Sequence, residues 1–165
     1  MPNVGNYFVV KTKGLAGLAI RLGTGSHWNH AGIYLGNGKI VEARPVGVTI
    51  SDLSKYDGMS IVWNSTVDNL TDEERMQIVT RARGFVGDKY GVWSIIALFF
   101  KCLGLSLFPA NRRAENENSV ICSQLVAWSY SVGGIKISFK QHALVTPKDL
   151  AERCIRTIDL WSTEK

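Results

Sequence analysis

Apolar and polar positions change their period partway along the chain. In the first third they alternate. Residues 6–11, 28–35, 39–43, 47–50 and 60–64 read as short strands with side chains pointing to opposite faces in turn. Residues 14–22 interrupt them with helical spacing at Leu15, Leu18, Ala19 and Leu22. The sequence Gly36-Asn37-Gly38 between 28–35 and 39–43 is a turn, so these two strands form a hairpin. From Thr71 the period becomes helical. Thr71 and Glu74 have the spacing of a capping box, and Ile78, Val79, Ala82, Phe85 and Val86 make one apolar face before Gly87. A second helix is predicted over 120–132, with Ile121, Leu125 and Trp128 on its apolar side. A last short one is capped by Thr146, with Pro147 at its first position and Asp149 in its first turn. Sheet first and helices afterwards predicts an α+β fold, a small antiparallel sheet packed against helices. The 165 residues show no repeat and no linker, so residues 1–165 read as a single domain.

Two polar stretches and one apolar stretch frame the candidate chemistry. Residues 109–119 read as an exposed polar loop. The apolar run 92–108 contains Lys101 and Gly104 and is shorter than the ~20 apolar residues of a membrane span. It reads as a buried helix or helical hairpin, or as an apolar rim that touches a membrane. The N-terminus lacks the charged and apolar regions of a signal peptide, so a cytoplasmic or virion-delivered protein is expected. The net charge of +5 favours anionic surfaces such as cell-wall polymers. Only Arg112 and Arg113 are adjacent basic residues and no basic stripe stands out, which argues against nucleic acid as a partner.

The hairpin places one histidine apart from the core. Ala31, Ile33 and Leu35 share the apolar face of their strand, and His30, Gly32 and Tyr34 share the other. With Gly36-Asn37-Gly38 as a three-residue loop, Leu35 faces Lys39 and Gly32 faces Glu42. Glu42 then lies one diagonal step from His30, with open space over Gly32 between them. A two-residue loop would put Glu42 on the core side as an unpaired buried charge, which costs several kcal/mol on the order of the usual penalty. Burial therefore selects the register that pairs the carboxylate with the imidazole. Such a carboxylate orients the ring and raises its basicity. Taken alone, a histidine near a strand start also reads as an ordinary surface residue.

Three cysteines, Cys102, Cys122 and Cys154, are too few and too scattered for a disulfide framework or a metal site. Cys122 falls in the first turn of its helix, where unpaired backbone N–H groups favour an anionic sulfur and can receive an oxyanion. Alone it also reads as a packing residue. Cys102 and Cys154 read as inert. His27 and His30 face opposite sides of one strand, and His142 has no acidic or cysteine neighbour, so no metal is expected.

The ordered set Asn29-His30-Ala31-Gly32-Ile33-Tyr34-Leu35-Gly36, Val41-Glu42-Ala43 and Ile121-Cys122-Ser123-Gln124-Leu125-Val126 resembles the NlpC-type superfamily of papain-like cysteine hydrolases. More narrowly it resembles the circularly permuted branch, in which the histidine strand precedes the cysteine helix. YiiX-like proteins and lecithin retinol acyltransferase stand on that side. Gly5-Asn6 stands where the family commonly has Gly-Asp. Asp88-Lys89-Tyr90 resembles its tyrosine segment, with Gly91 in place of a frequent acidic residue, and Thr146-Pro147-Lys148-Asp149-Leu150 resembles a late Thr-Pro-x-Asp-Leu motif. The resemblance implies a circularly permuted papain-like fold with Cys122 as nucleophile, His30 as general base and Glu42 as the orienting residue. Tyr90, Tyr34 and Trp28 are candidates to line the substrate site. No cofactor is implied. The expected substrate is an amide in peptidoglycan stem peptides. The other readings are a lipid acyl hydrolase or acyltransferase, and a non-enzymatic component of a phage virion with assembly partners.

Overall fold

The alternation predicted along the hairpin organises the sheet. In the computed structural model, strand β1 (Tyr7–Val10) lies between β2 (His30–Gly36) and β5 (Ile61–Trp63), while β3 (Lys39–Arg44) and β4 (Gly47–Asp52) extend the sheet beyond β2. Every pairing in this five-stranded sheet is antiparallel, in the order β4-β3-β2-β1-β5. Helix α1 (Asp72–Gly84) and helix α2 (Cys122–Ser131) follow, and residues 147–154 form a further helix, α3. The structure describes residues 2–13, 17–18, 21–22, 25–64, 69–91, 119–132, 134–135, 137 and 142–154. Residues 17–18 and 21–22 of the helix expected over 14–22 are helical. The apolar run 92–108, Cys102, and all of the loop expected over 109–119 except its last residue, Ser119, lie outside the described residues.

The sheet buries both faces, unequally. Tyr7, Val9, Ala31, Ile33, Leu35, Val41 and Ala43 pack on one side with Ile78, Ala82, Leu125, Val126 and Tyr130 from the helices. On the other side Phe8, Val10 and Ile40 pack with Tyr56 from the 3-10 turn Leu53–Tyr56, and Tyr34 and Trp63 flank them. Burial of this much aliphatic and aromatic surface, at roughly 25 cal/mol per Å² of apolar area, is the main stabilising contribution. The burial of this second face determines the setting of Glu42.

Helix α1 begins with the expected capping box: Glu74 N–H donates to Thr71 Oγ1 at 3.2 Å, and Thr71 N–H donates to Glu74 Oε2 at 2.8 Å. The Phe85 and Trp128 rings stack at 5.9 Å and join the two helices. Helix α2 is held against the sheet by polar contacts as well as packing. Tyr130 Oη donates to Gly5 O at 2.7 Å and accepts from Asn64 Nδ2 at 2.7 Å, while Tyr7 N–H donates to Asn64 Oδ1 at 2.8 Å. These buried bonds leave α2 little freedom to slide along the sheet, which fixes the position of its first residue, Cys122. The start of α2 is held by two further bonds. Ser123 Oγ donates to Val145 O at 2.6 Å, and Ile121 N–H donates to Gln124 Oε1 at 3.2 Å. Thr146 and Asp149 form the reciprocal cap of α3, at 2.8 and 3.2 Å.

The hairpin turn corrects the loop length and keeps the register. Ile33 pairs with Val41 and Tyr34 with Ile40, and then the register shifts so that Gly36 pairs with Lys39. The loop is therefore the two residues Asn37-Gly38, with φ of 50° and 70°, as a primed turn requires. Gly36, at φ 90°, sits at the bulge that absorbs the extra residue. Continued toward the strand start, the register sets Gly32 opposite Glu42. A two-residue loop thus coexists with the facing expected from a three-residue one, because the bulge restores the parity.

Candidate active site

Three chain segments meet where β2 and α2 begin. His30 is the first residue of β2 and Cys122 the first residue of α2. The third segment is a short parallel pair, β6 (Lys89–Tyr90) and β7 (Ser119–Val120), in which Tyr90 pairs with Val120 and Gly91 N–H donates to Val120 O at 3.2 Å. This pairing carries Tyr90 to the entry of α2. It is anchored to the sheet in turn, because Val48 N–H donates to Asp88 O at 2.9 Å and Gly87 N–H to Val48 O at 3.0 Å. Gly47, at φ 112°, admits that approach: a Cβ there would lie 2.9 Å from Asp88 O.

The imidazole of His30 bridges two groups. Its Nε2 lies 2.8 Å from Glu42 Oε2, and its side chain is close enough to that of Cys122 for the sulfur to raise its pKa. With Nε2 held by the carboxylate, Nδ1 is the ring nitrogen left for sulfur. Burial alone would lower the pKa of this histidine. The interactions with Cys122 and Glu42, with their charges, outweigh burial and raise it to about 9.

Glu42 is fully buried and satisfied on both oxygens. Oε2 accepts from Tyr56 Oη at 2.5 Å as well as facing His30, and Oε1 pairs with Lys55 Nζ. Burial would push this carboxyl up, but the bond and charge of His30, followed by Lys55 and Tyr56, hold it well below the ordinary 4.5. Burial and then the bond to Glu42 push the Tyr56 phenol well above its ordinary range. Burial, and secondarily the charge of Cys122, does the same to Tyr90, which keeps its proton beside the sulfur.

The structure therefore brings together Cys122, His30, Glu42 and Tyr90. Tyr34 is placed elsewhere: its hydroxyl accepts from Gly38 N–H at 3.2 Å in the hairpin turn, and its ring lies edge-on to Trp63 at 6.0 Å. Four residues along a strand separate it from His30 by roughly 13 Å. Trp28 stands two residues before His30, half-buried against the main core and edge-on to His27 at 6.0 Å. The open space expected over Gly32 is taken by the Phe8 ring, whose Cε1 would lie 2.8 Å from a Cβ at Gly32. Cys154 is buried beside Tyr7 Oη at 3.4 Å, and His142 is exposed in a 3-10 turn.

Lys55 and Tyr56 were missed by the sequence reading, as was the role of Asn29. Asn29 Oδ1 accepts from Thr12 N–H at 2.8 Å and from Thr12 Oγ1 at 3.1 Å, and its Nδ2 donates to Thr12 O at 2.9 Å. These bonds tie the residue before His30 to the chain leaving β1. A signal for Lys55 and Tyr56 was present: a carboxylate on a strand with apolar neighbours needs donors, and the next segment after β4 supplies a lysine and a tyrosine in succession.

No family model matches the chain, and no curated protein matches it. Its fold is similar to the crystal structure of metalloprotein yiiX from Escherichia coli O157:H7, DUF1105, with a TM-score of 0.59 and 18% sequence identity over 92% of this chain and 82% of that one. That protein is described as a metalloprotein. In this chain no group of three His, Cys, Asp or Glu side chains suited to a metal occurs among the described residues. Both Glu42 oxygens are moreover committed, one of them to the cationic Lys55. The described residues therefore do not fit a metal centre at His30 and Glu42. What the two proteins share is an α+β fold, across nearly the full length of this chain.

Proposed function

We propose that the protein is a cysteine hydrolase that cleaves an amide by acyl transfer. The observation that carries this reading is the row Cys122–His30–Glu42: a sulfur at the first position of a helix, an imidazole beside it, and a carboxylate on one nitrogen of that imidazole. The likeness to yiiX supports it too, since the sequence motifs resemble the YiiX-like branch of the permuted papain-like hydrolases, with the histidine hairpin ahead of the cysteine helix.

In this mechanism the Cys122 thiolate, paired with the His30 imidazolium, attacks the substrate carbonyl carbon and forms a C–S bond. The developing oxyanion is received at the α2 N-terminus. The first ladder bond there runs from Leu125 N–H to Ile121 O at 2.9 Å, so the amides of Cys122 and Ser123 lie ahead of the ladder. His30 gives its proton to the leaving nitrogen as the C–N bond breaks. It then takes a proton from water, which attacks the thioester, releases the acid and restores the thiolate. Glu42 keeps the ring oriented throughout. Cys122 is only 2% exposed while the His30 side chain is 12% exposed, so substrate approaches along the imidazole. Tyr90, a neutral phenol beside the sulfur, lines that approach.

The proposed substrate is a stem peptide of peptidoglycan, which fits the net charge of +5. Purified sacculi incubated with the protein should release new amino groups, and Cys122→Ala should abolish the release. Turnover of acyl esters in vesicles without any release from sacculi would shift the substrate to lipid. No turnover of either substrate by the unmodified protein, with an assembly role that survives Cys122→Ala, would leave a structural component.

A further inference from the structure

The geometry points to Lys55 and Tyr56 as positioning residues of this site: together they clamp the buried Glu42 carboxylate so that Oε2 stays on His30 Nε2 and the ring presents Nδ1 to sulfur. The role rests on the reading of Cys122 and His30 as a working pair.

Three observations carry it. First, Glu42 has no solvent contact, so its orientation is set by protein donors alone. Second, the donors are divided between its oxygens. Lys55 takes Oε1, while Tyr56 shares Oε2 with His30, so a rotation of the carboxylate would break bonds at both ends. Third, Lys55 and Tyr56 are adjacent in the 3-10 turn that directly follows β4. That turn is pinned by Leu53 N–H to Gly38 O at 2.8 Å and by the Tyr56 ring, which lies 5.6 Å from Phe8 and 6.0 Å from His30. The clamp is therefore built on rigid backbone.

Charge gives the clamp a second task. Sulfur, imidazole, carboxylate and ammonium form a row in which the signs alternate when the first two are ionised. Lys55 neutralises the end of the row that lies furthest from substrate. Without it, a buried carboxylate would face the imidazole with one formal counter-charge fewer, and such uncompensated burial is costly. Lys55 is half-buried, with its side chain 28% exposed, so its charge is only partly screened.

The test is the His30 Nε2-bound proton in the NMR spectrum of the full chain, read beside the rate of Cys122 alkylation by iodoacetamide at pH 7. In the unmodified chain that proton should resonate far downfield, as expected for a short bond to a carboxylate. Lys55→Met and Tyr56→Phe should each shift it upfield or broaden it, and should slow alkylation by about tenfold, while Lys55→Arg should retain both signals. Folded Lys55→Met and Tyr56→Phe proteins with an unchanged proton resonance would overturn the proposal. If Lys55→Met does not fold, Tyr56→Phe, which removes one hydroxyl, decides alone. An unreactive Cys122 in the unmodified chain would instead count against the hydrolase, because the proton resonance reads the clamp without any catalysis.

Discussion

His30 Nε2 stands 2.8 Å from Glu42 Oε2, and the two residues reach one another diagonally across a hairpin whose two-residue turn would by itself have put them on opposite faces. The bulge at Leu35–Gly36 makes the pair possible. The pair in turn decides which ring nitrogen is left for Cys122.

Glu42→Gln keeps the shape of the side chain and removes its charge. The His30 pKa is then expected to fall from about 9 toward its ordinary 6.5, since one of the two groups that raise it is neutralised. An NMR titration of the imidazole measures this. Glu42→Ala strands both Lys55 and His30 and should cost about 3–5 kcal/mol of stability, as breaking a buried pair does, read by denaturant unfolding.

Stability should depend on pH through the same histidine. The His30 pKa is higher in the folded protein than in the unfolded chain, so its contribution is complete below about pH 6.5 and is lost as pH rises through about 9. Glu42 acts in the opposite sense, contributing above about pH 4.5 and losing its effect as the solution is acidified well below that. The melting temperature should therefore decline between pH 6.5 and 9, and His30→Gln should flatten that decline. A decline of equal size in His30→Gln would assign it to other groups.

The imidazolium should also be visible in reagent choice. A protonated His30 beside the sulfur attracts an anionic alkylating agent, so iodoacetate should gain on iodoacetamide at neutral pH, by several-fold on the order of one nearby charge. The ratio of the two rates should fall as pH rises through about 9 and should be flat in His30→Gln.

Gly32→Ala tests the packing beneath the pair. Its Cβ would lie 2.8 Å from Phe8 Cε1 and 2.9 Å from Val41 O. A strand carbonyl cannot move aside without disturbing the ladder, so overpacking should cost about 1–3 kcal/mol. Thermal unfolding measures the loss. Phe8→Leu in the same chain should recover only part of it, because the clash with the Val41 carbonyl remains.

Much of this arrangement was legible in the sequence. The change of period from two to 3.6 located the sheet, α1 and α2, because a face that must be buried leaves its mark at every second or every third and fourth residue. The Thr71–Glu74 cap and the Thr146–Asp149 cap were legible for a local reason, since both partners lie within one turn. The facing of Glu42 toward His30 followed from the cost of burying a lone carboxylate. Contacts that join distant segments left no periodic trace. Lys55 and Tyr56 reach Glu42 from the segment beyond the next strand, and the pairing of Tyr90 with Val120 links residues on either side of 92–118. Tyr34 illustrates the converse error. Sharing a strand face with His30 placed it on the same side of the sheet, but four residues of rise carried it to the hairpin turn and away from the sulfur.

The most direct measurement is competitive alkylation of the intact protein with limiting iodoacetamide at pH 7, followed by mass spectrometry of the peptides carrying Cys102, Cys122 and Cys154. The account predicts that Cys122 is modified first, by a margin of about tenfold or more, and that His30→Gln erases the margin. Equal modification of all three cysteines, or a Cys122 preference that persists in His30→Gln, would contradict it.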